Sequence, residues 1–432
     1  MDIQDYKDFS KIFFIGIGGI GISAIARMLL LEGKQVYGSD ISMSEVTEEL
    51  LKAGAKIEQG QSLDLIPKDV DLIIYTAAIE VADPKLVKDI KSLSIPSFSY
   101  SQALGIYSRN KKTIAISGTH GKTTTTAMLA KVLLDAKTEP NVIVGSLLTE
   151  TKTNYVAGKG QYLVVEADEY RRSFLSLHPY ILLINNIDAD HLDYYKDLAD
   201  VQSSFRELAL RVPEDGAIVC NLKNKNVLPA IEGVKAPIYD YSEIDVSNLK
   251  LPFPGEHNRD NARATLCISK ILGIDEGVAR KALEDFRGTW RRFEYKGKTA
   301  TGALVYDDYA HNPQKVRAVI QGAREMYSDQ KIVIVFQPHL FSRTKSFLSE
   351  FAEALSHADE VVLLPIYAAR EAFDPSTSSE MIIDKIMPKE KARVINSFDE
   401  VENYLKDNSK NGDVLLIVGA GDIYKIAEKI IV

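Results

Sequence analysis

The sequence predicts an α/β fold made of three successive doubly wound units. Three observations carry this prediction. Short apolar runs alternate with helix-like stretches along the chain, two of these runs end in a glycine-rich loop that opens a helix, and acidic or imidazole side chains stand just beyond several others. Strands alternating with helices build parallel sheets covered on both faces, and ligands bind beyond the carboxyl ends of such strands. A chain of 432 residues exceeds one ordinary core, so two or three domains are expected.

The first unit, residues 1–105, opens with the strand Lys11–Ile15 (KIFFI), then Gly16-Ile-Gly18-Gly19-Ile-Gly21 and a helix-like ISAIARMLLLEG. A second strand over Gln35–Gly38 ends at Ser39-Asp40, and further runs lie at Leu72–Thr76 and Ile95–Ser97. GxGxxG after a strand, with Asp40 19 residues beyond Gly21, fits a dinucleotide fingerprint on spacing alone. The same loop can hold any pyrophosphate, and a separate ATP-type loop in the chain favours a second, phosphate-bearing substrate.

That ATP-type loop opens the middle unit, residues 106–291. Thr113–Ser117 (TIAIS) runs into GTHGKTTTT and then AMLAKVLLDA, the strand–loop–helix context of a phosphate site. Gly118 and Gly121 let backbone N–H groups turn toward an anion, with Thr119 and His120 between them, and the helix adds its positive end. Lys122 supplies a point charge for phosphate, and Thr123, followed by Thr124, offers a hydroxyl to Mg²⁺. Position 116 is isoleucine, so the turn is shorter than the GxxxxGK[ST] form. Glu166 follows Tyr162–Val165 and is placed to share a Mg²⁺ with Thr123; Asp168 and Glu169 are weaker candidates. After Ile181–Asn186, His191 in DADHLDYY can ligate or orient a second metal, or be satisfied by Asp190 and Asp193. Asn258 and Asn261, three apart at a helix start, suit an adenine edge or a helix cap.

Arg291 and Arg292 (WRRFE) lie at the junction with the last unit, residues 292–432, where an arginine can reach phosphate from a neighbouring domain. There, Ala303–Tyr306, Ile332–Phe336, Glu360–Leu364 and Val414–Val418 read as strands of a third parallel unit. Asp308 and His311 (DDYAHNP) with His339 and Arg343 (FQPHLFSRT) form a polar cluster suited to a zwitterionic or anionic substrate. Five of the seven histidines, His120, His191, His257, His311 and His339, lie in such polar segments, which favours a site over packing.

Composition excludes several classes. A net charge of −8 leaves no basic footprint for nucleic acid. No run reaches a membrane-span length and the N-terminus has no signal-peptide pattern, so a cytoplasmic enzyme is expected. Cys220 and Cys267, both in apolar surroundings, are expected to pack as core residues.

Together these residues resemble the Mur ligase family, the ATP-dependent amide-forming ligases of peptidoglycan synthesis. The resemblance rests on FFIGIGGIGISAIA, GSD, SGTHGKTTTT, EADE, NNIDADHLDYY, PGEHNRDNA, RRFE, DDYAHNP, FQPHLFSRT and GAGDI, which occur in this order over nearly the whole chain. It implies a Rossmann-like UDP-sugar-binding domain, a central P-loop ATPase domain and a Rossmann-like amino-acid-binding domain. It implies that Gly16, Gly18, Gly19, Gly21, Ser39 and Asp40 hold the UDP-sugar rather than NAD. It implies that Gly118–Thr124, Asn258, Asn261 and Arg292 bind ATP, and that Thr123, Glu166 and His191 bind Mg²⁺. Asp308, His311, His339 and Arg343 then position a muramoyl carboxylate and an amino acid, with Lys122, Glu166, His191, His311 and His339 as the catalytic set. The implied substrates are UDP-N-acetylmuramate and L-alanine, with a preformed tripeptide as the alternative amine, and the implied state is a monomer or homodimer. Four positions depart from the family pattern: Asn312 for a second histidine, Leu340 for arginine, Tyr170-Arg171-Arg172 after EADE, and Arg370 for glycine in YAAGE. Arg171, Arg172 or Arg370 are candidates to replace the basic contact missing at Leu340.

Overall fold

The computed structural model describes residues 5–146, 148, 153–192, 194–369 and 371–432, apart from the side chain of Val81. Asp193 and Arg370 therefore lie outside the described residues. Three sheets follow one another along the chain. The first comprises β1 (Lys11–Ile15), β2 (Gln35–Asp40), β3 (Lys56–Gln59), β4 (Leu72–Tyr75) and β5 (Ser97–Ser99), all parallel in the order β3-β2-β1-β4-β5. The order reverses at β1, and the glycine loop after β1 leads into α1 (Ile20–Leu31) at that switch point. The strands form because runs such as FFI and LII are buried on both faces, which is the environment of a parallel sheet.

The second sheet comprises β6 (Lys112–Ser117), β7 (Asn141–Ile143), β8 (Tyr155–Val156), β9 (Tyr162–Ala167), β10 (Pro179–Ile184), β11 (Ala217–Cys220) and β12 (Ile238–Asp240). Its order is β12-β11-β10-β6-β9-β7-β8, parallel except for the β7–β8 pair. Helix α2 (Lys122–Asp135) follows β6 directly, and α3 (Leu198–Ala209) and α4 (Glu256–Ile271) come later. The third sheet, β13 (Glu294–Lys298), β14 (Leu304–Asp308), β15 (Ile332–Phe336), β16 (Glu360–Leu363), β17 (Ala392–Val394) and β18 (Val414–Val418), runs β13-β14-β18-β15-β16-β17. It is not purely parallel, because β13 pairs antiparallel with β14 at one edge. Helix α5 (Pro313–Met326) follows β14.

The chain divides into two compact units. Residues 1–250 with 259–287 hold the first two sheets, and residues 251–258 with 288–432 hold the third. In the first unit one hydrophobic cluster runs from Phe14 and Leu72 through Leu104 and Tyr107 to Leu163 and Phe205, so its two sheets share a core. The cysteines are buried and unpaired, as expected. Among the described residues, no helix is long and apolar enough to cross a membrane.

Several strands run one or two residues past the apolar stretch. Glu166 and Asp308 are accordingly strand residues rather than the first loop residues, paired in register with Ile116 and Val418.

Candidate active site

Gly118 and Gly121 adopt left-handed φ values of 131° and 83°, so both positions disfavour any residue with a Cβ. A Cβ on Gly121 would stand 2.5 Å from Asn261 Oδ1 and 3.0 Å from Asn185 Nδ2. The loop is braced from the segment after β10: Asn186 O accepts from Thr119 N at 3.1 Å, Asn186 Oδ1 accepts from His120 N at 2.8 Å, and Thr119 Oγ1 accepts from Asp188 N at 2.9 Å. Gly121 begins α2 without a side-chain cap, which leaves the first-turn N–H groups, those of Lys122, Thr123 and Thr124, for an anion.

Two acidic partners meet this helix end. Thr123 Oγ1 donates to Glu166 Oε2 at 3.1 Å, and Gly145 N donates to Glu166 Oε1 at 2.7 Å. Lys122 Nζ donates to Glu169 Oε2 at 2.7 Å and to Gly118 O at 2.6 Å. Burial works against the lysine's charge, but Glu169, Asp168 and Glu166 outweigh it and hold the ammonium above the ordinary lysine range. His191 lies on the other side of Glu169, its Nε2 3.8 Å from Oε1. Asp168, Glu169 and His191 offer ligand atoms all within 4.8 Å of one another. The expected metal set of Thr123, Glu166 and His191 is therefore divided. The structure pairs Thr123 with Glu166, and gathers His191 with the two carboxylates that the sequence ranked lower.

The two asparagines of α4 also have different surroundings. Asn261 Oδ1 accepts from Thr125 Oγ1 at 3.0 Å beside the phosphate loop, whereas Asn258 Nδ2 donates to Pro254 O at 2.6 Å. Both are buried.

In the first glycine loop, Gly16 has φ 73°, and the N–H groups of Gly16 and Ile17 donate to Ser39 O at 2.8 and 3.1 Å. Asp40 Oδ2 accepts from Gly18 N at 2.8 Å, and Oδ1 accepts from Ser42 N at 3.2 Å. Gly19 caps α1 without a side-chain bond. Gly21 is required by packing, because a Cβ there would meet the Tyr100 ring at 2.7 Å.

In the third sheet's unit, Asp308 closes on the chain around it, with Oδ2 accepting from Phe293 N and Oδ1 from Ala310 N, each at 2.7 Å. Burial raises its carboxyl pKa, and Arg292 and these N–H groups pull it back. His311 Nδ1 donates to Tyr309 O at 2.9 Å, so Nε2 is its acceptor. Burial first, and then Lys315, push its pKa down to about 3, so the ring is neutral. Arg343 Nη1 donates to His339 Nδ1 at 3.0 Å, which leaves the hydrogen on Nε2. The two imidazoles face each other with centroids 6.0 Å apart.

Arg291 and Arg292 separate sharply. Arg291 is 3% exposed and donates to Asp307 Oδ2 at 3.1 Å, to Gly421 O at 2.9 Å and to Gly419 O. It is a clamp inside its own unit, not a phosphate contact, which leaves Arg292, over the Tyr309 ring at 5.6 Å, as the candidate.

Three family models match consecutive parts of the chain: Mur ligase family, catalytic domain, over residues 11–112; Mur ligase middle domain over 116–248; and Mur ligase, glutamate ligase domain, over 291–421. The chain is 40% identical to a UDP-N-acetylmuramate–L-alanine ligase of Clostridium kluyveri and 38% identical to that of Caldanaerobacter subterraneus, in each case over 98% of both chains. The chain belongs to the Mur ligase family. A solved structure of the UDP-N-acetylmuramate-alanine ligase of Thermotoga maritima matches this Mur ligase with a TM-score of 0.80 and 32% identity, over 97% of this chain and 98% of that one. A murein peptide ligase from Psychrobacter arcticus, 22% identical with a TM-score of 0.70 over 98% of both chains, shares the fold.

Local structure accounts for one of this Mur ligase's departures and places a second. Asn312 caps α5, its side chain accepting from Lys315 N at 2.9 Å with Pro313 at the first helical position. Leu340 is buried in a left-handed conformation, φ 69°, with its N–H on Tyr367 O. Arg172 is not a spare cation, since it pairs with Asp200 at 2.7 Å and Glu207 at 3.5 Å on α3.

Glu169, a weaker metal candidate in the sequence, is the partner of Lys122, and Arg291, offered there with Arg292 as a phosphate contact, is held by Asp307 and the Gly421 carbonyl instead.

Proposed function

We propose that this Mur ligase joins the lactyl carboxylate of UDP-N-acetylmuramate to L-alanine at the expense of ATP, with domains at residues 1–105, 106–291 and 292–432. The observation that carries this reading is the pairing of Lys122 and Thr123, at an uncapped helix N-terminus, with Glu169 and Glu166. Positive charge, hydroxyl and carboxylates at one helix end suit a triphosphate with its cation. The names carried by relatives that match over nearly their whole length supply the substrates.

The lactyl carboxylate attacks the γ-phosphorus, ADP leaves, and an acyl phosphate forms. Lys122 and the first-turn N–H groups of α2 stabilise the charge that spreads over the phosphoryl oxygens. A divalent cation at Thr123 and Glu166 would neutralise phosphate charge when bound. Arg292 adds a cation to the nucleotide. Asn261, beside the loop, and Asn258 border the adenine.

The alanine amine then attacks the acyl carbon, the C–O bond to phosphate breaks, and the amine's proton passes to the departing phosphate. His311 stays neutral and accepts a hydrogen bond from the amine through Nε2. With a pKa near 3 it orients that amine rather than storing its proton. His339 donates from Nε2 to a carboxylate oxygen, held in that tautomer by Arg343. Asp308 fixes the loop carrying His311 through its bonds to Phe293 and Ala310. The first glycine loop and Asp40 hold the UDP moiety.

The test is the mass of the product formed from UDP-N-acetylmuramate and ATP with L-alanine, L-serine, glycine or a tripeptide supplied in turn. The alanyl product should dominate. A product formed only with the tripeptide would assign a recycling role instead, and no product with any amine would refute the reading.

A further inference from the structure

The first glycine loop carries no cation. Residues 16–23, and the strand ends around them at residues 39–44, 76–79 and 97–102, contain no lysine or arginine. The charged side chain bonded to the loop is an acid, Asp40. An anion there is met by neutral donors. Gly19 begins α1 without a side-chain cap, which leaves the N–H groups of Ile20, Gly21 and Ile22 for that anion. Asn154 steadies the turn, its Nδ2 donating to Ile20 O and, at 2.9 Å, to Ser23 Oγ.

One side chain joins this set of donors. Tyr100 stands directly past the carboxyl end of β5, in a parallel sheet whose ligands lie beyond such ends. A capping box of Ser99 and Gln102 starts the helix Tyr100–Arg109 and so fixes where the tyrosine begins. Its ring lies on the first turn of α1. A Cβ on Gly21 would stand 2.7 Å from Tyr100 Cζ and 2.9 Å from its hydroxyl oxygen. Glycine at position 21 therefore admits the phenol beside the first-turn N–H groups. The hydroxyl has no hydrogen-bond partner among the described residues, so packing alone accounts for the ring and not for the oxygen. Burial first, and then Glu166 and Asp168, hold its pKa above the ordinary tyrosine range, so it is a donor at neutral pH.

We propose that the Tyr100 hydroxyl donates a hydrogen bond to the diphosphate of the sugar nucleotide, alongside the first-turn N–H groups of α1. The inference rests on the reading that the first glycine loop holds the UDP moiety. A neutral donor suits this place better than a cation, which the nearby Glu166 and Asp168 would attract away from the diphosphate. A hydrogen bond to a charged acceptor is worth about tenfold or more in affinity.

The experiment uses the full chain and Tyr100→Phe, which removes the hydroxyl and leaves the ring on Gly21. Calorimetric titrations with UDP, UDP-N-acetylmuramate and β,γ-methylene-ATP are set beside denaturant unfolding. The Kd for UDP and for UDP-N-acetylmuramate should rise by the same factor, about tenfold, with the ATP analogue's Kd and the unfolding midpoint unmoved. In turnover the loss should fall on the KM for the sugar nucleotide rather than on kcat. Tyr100→Leu, which also removes the ring, should add a lower unfolding midpoint to the same loss of UDP affinity. Unchanged UDP affinity in Tyr100→Phe would overturn the proposal. So would a loss confined to UDP-N-acetylmuramate, which would place the hydroxyl on the muramoyl group, or an equal loss for the ATP analogue. UDP-N-acetylmuramate binding that is indifferent to Asp40→Ala would instead overturn the reading of the first loop beneath it.

Discussion

The two glycine loops of the first unit use one backbone device with opposite side-chain charge. Each follows a central parallel strand, turns through left-handed glycine, and opens a helix with no side-chain cap. At the first loop the side chain that closes on the backbone is an acid, Asp40, accepting from Gly18 N. At the second it is a base, Lys122, with Thr123 beside it and Glu166 and Glu169 behind. On the proposed reading, side-chain charge then separates the two ligands: a diphosphate met by the first-turn N–H groups of α1, and a triphosphate arriving with a cation at the second loop.

The largest effect that tests this contrast is Lys122→Met. It should lower kcat/KM by about 10³-fold through lost transition-state stabilisation, with UDP-sugar affinity unchanged in a direct titration. Next comes Gly121→Ala, which forces a Cβ onto Asn261 at φ 83°. The left-handed penalty of roughly 1–2 kcal/mol and the clash should raise the KM for ATP by about tenfold or more. Gly21→Ala, by contrast, should lower thermal stability by roughly 1–3 kcal/mol by displacing Tyr100, a packing effect that denaturant titration separates from binding. Asp40→Asn keeps the shape of the loop while weakening a hydrogen bond to a charged group. A loss of about 1 kcal/mol, roughly fivefold in the KM for UDP-sugar, is expected, with the KM for ATP unmoved.

A further, pH-dependent effect lies outside both loops. His311 has its pKa lowered to about 3, so between about pH 6.5 and pH 3 the unfolded chain binds a proton that the folded chain refuses. Stability from this residue is present above that window and is lost as pH falls through it. His311→Asn should flatten the acid-side decline in unfolding free energy by up to about 1.4 kcal/mol per pH unit, leaving both nucleotide affinities intact at neutral pH.

Both loops were legible in the sequence because glycine spacing after an apolar run is a local signal. Central strands such as Ile332–Phe336 and Val414–Val418 were legible for the same reason, being apolar and buried throughout. Lys56–Gln59 and Ile238–Asp240 were not, since these short edge strands are largely exposed and their residues carry little apolar pattern. The antiparallel edge EYKGK was hidden likewise, its pairing being set by the turn back into Leu304–Asp308. The Lys122–Glu169 pair spans 47 residues and needs the sheet order to be known. Nothing in the dipeptide Arg291-Arg292 says which arginine is clamped, because that depends on the left-handed backbone at Arg291, φ 59°, and on the carbonyls of Gly419 and Gly421.

The division of labour between the loops is tested most directly by titrating wild type, Lys122→Met and Asp40→Ala each with UDP-N-acetylmuramate and with β,γ-methylene-ATP. Lys122→Met should weaken only the ATP analogue, and Asp40→Ala only the UDP-sugar. Loss of UDP-sugar binding in Lys122→Met, or of ATP-analogue binding in Asp40→Ala, would contradict the assignment of one nucleotide to each loop.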